Sequence, residues 1–187
     1  MPSRFYDAGL VRQVANNLFL GWGYNFYRLE NQLRADDQLV CAKAAWLLGQ
    51  AAASVQAAEA QHRRDAFPPP TRAKPYPDPA AVAVAQGLER LSKDILAISG
   101  RLHSLPAPEQ DLMSLRFRQE ADTLVRLIAA DEQLVGQSEL LRATVEGKGA
   151  AWLLENEAEV RDGLTAIQAT LTERAGVLLA RTEPRRF

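Results

Sequence analysis

The sequence predicts an all-α protein: an antiparallel bundle of about four long helices with coiled-coil-like packing, preceded by a shorter N-terminal helix. Two observations carry this. Apolar residues recur by threes and fours along most of the 187 residues, and the interruptions fall at Gly-rich or Pro-rich points. Ala (31) and Leu (26) far outnumber Gly (11) and Pro (10), a balance foreign to disorder and to all-β chains. Spacing near 3.6 residues gathers apolar side chains on one helix face.

Val11, Val14, Leu18 and Trp22 form such a stripe on a short helix starting near Asp7. Gly21-Trp22-Gly23 is the expected break, because two glycines weaken a helix by about 2 kcal/mol. Asp36-Asp37, with Asp36 as cap, is the alternative turn. Tyr24 to Asp65 holds one glycine, Gly49, and no proline, so a single long helix is permitted. Phe26, Leu33, Val40 and Leu47 repeat by sevens, as do Cys41, Leu48, Val55 and His62. The alanine-dense stretch from Ala42 to Ala60 suits close helix–helix contact.

Phe67 to Pro79 holds six of the ten prolines. Proline lacks a backbone donor and biases its predecessor away from helix, so this segment is expected to be an extended, semi-rigid strap. A polyproline ligand for an aromatic groove is the alternative. Asp78 can cap the next helix, with Pro79 at its first position. Val84, Leu88, Leu91, Ile95, Ile98, Leu102 and Leu105 then step by four and three without a fault, and Pro106 and Pro108 stop the helix. A further helix is expected from about Glu109 to Glu146, with a seam through Met113, Phe117, Glu120, Leu124, Leu127, Asp131, Leu134, Ser138, Leu141 and Val145. After Gly147-Lys148-Gly149 the last helix carries Ala150, Leu153, Glu157, Val160, Leu164, Ile167, Leu171, Arg174 and Leu178. The chain thus divides into N-terminal helices (1–65), a strap (66–79) and an antiparallel three-helix segment (80–182), expected to form one integrated domain.

Polar residues in these seams bear on register. A hairpin turning at Lys148 places Glu120 opposite Arg174, a half-buried pair that would specify alignment more than stability. Asp131 finds no basic residue at its own level and is expected to lean toward solvent.

Several functions are disfavoured. The net charge of −1 argues against a nucleic-acid binder working through a general basic surface. One Cys excludes an intramolecular disulfide framework and a Cys-based metal cage. No apolar run reaches about 18 residues, and Met1 to Phe5 lacks the pattern of a secretory leader, so a cytoplasmic protein without membrane contact is expected. Glu59-x-x-His62 has the spacing of a carboxylate-bridged metal bundle, but the other histidine, His103, has no matching Glu, and Arg63-Arg64 opposes a cation. Gly147-Lys148 lacks the remainder of a phosphate loop. Cys41 shares a heptad row with Leu48 and Val55 and reads as a small core residue. No catalytic residue, metal ligand or cofactor is assigned.

Eight of the thirteen aromatic residues lie within the first 46 positions. They either fill the junction of the N-terminal helices with the bundle or form a contact surface, for which Phe19, Trp22, Tyr24, Phe26, Tyr27 and Trp46 are the candidates. The function expected is therefore that of a non-enzymatic helical interaction or assembly protein: an adaptor, a chaperone-like factor or an oligomeric structural component. Its partner is another protein or a second copy in a homodimer. The alternative is a bundle that binds a small molecule or cofactor, with a pocket built from Trp22, Tyr27, Trp46 and the polar seam.

Overall fold

Helix signals in the sequence translate directly into the elements of the computed structural model, which describes residues 3–20, 33–104 and 121–179. A 3-10 turn, Arg4–Tyr6, leads into α1 (Ala8–Leu20), which Asp7 caps by accepting from the Gly9 and Leu10 amides at 3.0 and 3.1 Å. Helix α2 (Leu33–Ala66) passes through Asp36-Asp37 without a break, so the alternative turn there is not used. Helix α3 (Pro79–His103) starts as its sequence predicts: the Asp78 side chain accepts from the Ala80 amide and Pro79 occupies the first turn. The remaining helices are α4 (Ala121–Val145), α5 (Ala150–Glu155) and α6 (Glu157–Leu179). Among the described residues the secondary structure is entirely helical.

Long-range pairs fix the helix directions. Ser99 Oγ donates to the Ala45 carbonyl at 3.0 Å, and His62 Nε2 lies 2.9 Å from the Ala81 carbonyl, so α2 and α3 run antiparallel along their length. Arg174 with Asp131 and Thr170 with Gln137 pair α6 antiparallel to α4. Arg4 with Thr144 and Arg12 with Glu132 lay the N-terminal segment antiparallel on α4. The two hairpins, α2/α3 and α4/α6, meet chiefly along α2 and α4, and α1 covers another side of α4. Helix α3 thus packs most extensively across the strap, against α2, and not against the helix that follows it. The strap itself folds back at Thr71 and Lys74, whose amides and carbonyls bond reciprocally at 3.1 Å.

The seam residues fill the core. Leu88, Leu91, Ile95, Ile98 and Leu102 of α3 are buried, as are Leu127, Leu134, Leu141 and Val145 of α4. Both heptad rows of α2 point inward at Val40, Cys41, Leu47, Leu48 and Val55. Between Ala130 and Ser138, α4 is enclosed nearly all round, as expected for a helix contacted by α1, α2 and α6.

The last helix departs from expectation. It is two helices, broken at Asn156, whose side-chain amide and backbone N–H both donate to the Trp152 carbonyl at 2.9 Å. The six residues of α5 pack against α2 and α3, with Leu154 beside Gly87. The α4/α6 hairpin is therefore centred near Leu153 and not at Lys148. Moving the centre by about five residues changes the residue opposite any position by about ten, a register shift of about 15 Å at 1.5 Å per residue.

Candidate functional site

The register shift rearranges the polar seam. Arg174 Nε donates to Asp131 Oδ1 at 2.7 Å, with the two side chains only 4% and 9% exposed. Asp131 does not lean into solvent, and the basic partner missing at its level is Arg174, brought there by the chain taken up in α5. Glu120, the expected partner of Arg174, lies outside the described residues. One turn along, Thr170 Oγ1 donates to Gln137 Oε1 at 2.9 Å, and Gln137 Nε2 donates to the Phe5 carbonyl at 3.2 Å. Ser138 Oγ donates to the Leu134 carbonyl at 2.8 Å. These groups form a buried polar layer in which each bond links two elements or closes within one, as buried polar atoms require.

The layer's chemistry is structural. Burial, reinforced by the negative charge of Asp131, pushes the Cys41 thiol up to about 12. A thiol protonated at neutral pH is a poor nucleophile, which agrees with Cys41 as a small core residue. Burial also draws the Arg174 guanidinium below its ordinary value. Glu59 pairs with Arg63 at the exposed end of α2, and His62 faces the Ala81 carbonyl. Because a carbonyl only accepts, His62 Nε2 carries the proton there and acts as a clasp between α2 and α3. Among the described residues no group of three or more His, Cys, Asp or Glu is placed to hold a metal ion.

Two glycines bring the N-terminal segment onto this layer. A Cβ at Gly136 would lie 2.2 Å from the Val11 carbonyl oxygen, so the α1 backbone rests directly on α4. A Cβ at Gly163 would lie 2.8 Å from Phe5 Cζ, which fills the space between α4 and α6. A cleft of about 180 Å³ remains beside α1, lined by Ala8, Val11, Arg12, Ala129, Glu132 and Gln133. Small-molecule pockets run to about 300–1,000 Å³. This one suits water or a small ion better than a cofactor.

Of the aromatic candidates, Trp22, Tyr24, Phe26 and Tyr27 lie outside the described residues, as does the side chain of Phe19. Trp46 is described and faces outward, 52% exposed. The Lys43 ammonium sits 4.0 Å from the centroid of its ring. Partial burial holds Lys43 below its ordinary pKa, against the pull of Glu139 on α4. Leu39, two turns before Trp46 on the same side of α2, is 54% exposed. Ala42 and Ala53 continue that side, and both are exposed. Leu39 was not singled out from the sequence, although its spacing to Ala42, Trp46, Gly49 and Ala53 by threes and fours marks a second apolar row beside the buried one.

No helix among the described residues is long and apolar enough to cross a membrane. Compared with known protein families, curated proteins and solved structures, the chain gives no significant match.

Proposed function

We propose that the chain is a non-enzymatic helical interaction or assembly protein of the cytoplasm that meets its partner through the outer face of α2. The observation that carries this reading is the outward placement of Trp46 and Leu39, each more than half exposed, on one side of a helix whose other sides are packed. Tryptophan buries a large area for little lost side-chain freedom and is enriched at contact sites. An apolar row continuing over several turns is a patch and not a scattered exposed residue. The free, buried Cys41 fits a reducing compartment.

The experiment is site-specific photo-crosslinking in cells carrying the chain at its natural level. A crosslinker at position 46 is compared with one at Arg101, which is exposed on α3. The reading expects discrete covalent adducts from position 46 and none above background from position 101. Equal yields at the two positions, or no adduct at 46, would remove it.

A further inference from the structure

The outer face of α2 is complementary to itself. We infer that its partner is a second copy of this chain, docked antiparallel about a two-fold axis passing between Gly49 and Gln50. This rests on the interaction reading above and names the partner of that same surface.

Side-chain size favours this pairing. In an antiparallel pair with its axis at Gly49–Gln50, Trp46 faces Ala53 of the second copy, Ala42 faces Ala57, and Leu39 faces Ala60. Each large residue meets an alanine, and the smallest residue sits at the axis. A Cβ placed on Gly49 would meet nothing within 4 Å, so the protein's own atoms leave the centre of the face clear. Alternation of large and small residues across facing positions is what lets two helices interdigitate at about 8–10 Å. A parallel, in-register pair would instead set Trp46 on Trp46 and leave the alanines facing alanines across a gap. A two-fold contact needs one surface complementary to itself, and only the antiparallel arrangement of this face supplies it. Helix propensity alone would account for exposed alanines. It does not account for an exposed Trp and Leu placed so that each has an alanine at its two-fold mate. The face from Leu39 to Ala60 is about 32 Å long. One helix of that length on another buries an area near the lower bound of about 1,000 Å² for a specific interface, so the dimer forms in a concentration-dependent way.

The test is sedimentation equilibrium of the full chain from about 1 to 100 µM, a range matched to an interface of that size. Wild type is expected to shift from monomer to dimer across the range. Trp46→Ala and Ala53→Trp should each weaken association at least tenfold, the first by removing the large residue and the second by setting large against large. The double variant Trp46→Ala/Ala53→Trp exchanges the two sizes and should recover dimerisation. Gln50→Lys, which places two ammonium groups beside the axis, should weaken it in low salt and less so in high salt. It gives the same readout should Ala53→Trp fail to fold. A wild-type monomer throughout, or a dimer indifferent to Ala53→Trp and Gln50→Lys, overturns the inference. Adducts from position 46 to other proteins, with a monomeric purified chain, would overturn the dimer while leaving the interaction reading standing.

Discussion

Asp131 and Arg174 meet inside the bundle through a 2.7 Å bond between Oδ1 and Nε, both side chains more than nine-tenths buried. The pair joins the middle of α4 to the last turns of α6. Two charges withdrawn from water gain little net stability, but removing either one takes a buried counter-charge from the other. Asp131→Ala is therefore expected to cost about 3–5 kcal/mol in urea unfolding. The double variant Asp131→Leu/Arg174→Met should recover most of that loss. A single-variant cost below about 1 kcal/mol would show that the pair is solvated in solution.

Close backbone approach at Gly136 predicts a localised effect. Gly136→Ala drives a methyl group toward the Val11 carbonyl, and α1 must move away from α4. The expected penalty is about 1–3 kcal/mol, as for other overpacked sites. Hydrogen exchange should speed up across residues 8–20 while the α2/α3 hairpin keeps its protection. Equal acceleration in both regions would contradict the docking described for α1.

Cys41 carries a signature at alkaline pH. Its folded value of about 12 lies above its ordinary value of 9.0, so the folded state holds the proton more tightly. The contribution is fully present below about pH 9, declines as the unfolded thiol ionises, and is gone above about pH 12. Wild type should accordingly lose stability with a steeper slope than Cys41→Ala between about pH 9 and the highest pH at which the protein folds. At pH 8 the native thiol should resist Ellman's reagent and react fully in denaturant. Prompt labelling of native protein would argue against the burial of Cys41.

Trp46 is predicted to matter for contact and not for folding. Trp46→Ala removes an outward indole and its Lys43 contact, so the unfolding free energy should change by no more than about 1 kcal/mol. A loss above 2 kcal/mol in thermal or urea unfolding of the monomer would place the indole in the core.

The helices and their inward faces were legible because both are local properties. Asp78 and Pro79 mark the start of α3 wherever α3 packs, and the steps from Leu88 to Leu102 choose one face whichever helix covers it. The inward rows of α2, Val40 with Leu47 and Cys41 with Leu48 and Val55, follow from the same spacing. The polar seam was less legible. Asp131 and Ser138 stand at seam positions, yet nothing in the spacing of α4 tells whether an aspartate there is paired or solvated. Gln137 and Phe5 could not be linked at all, since 132 residues separate a side-chain amide from the carbonyl it holds.

By itself the sequence determined that this chain is helical, where α1, α3 and α4 break off or begin at Asp7, Asp78 and Gly147, and which side chains turn inward. Tertiary structure alone decided which helices are neighbours and at what register. Heptad seams are interchangeable: an apolar stripe on α3 fits α2 or α4 equally well, and the long-range contacts of Ser99 and His62 select α2. Register depends on how much chain a turn consumes. Asn156 ends α5 by turning its amide back on Trp152, and α5 is held against α2 and α3 by packing. That docking moved the hairpin by about five residues and brought Arg174 to Asp131, because a helix break set by contacts elsewhere leaves no trace in the spacing of the two helices it aligns.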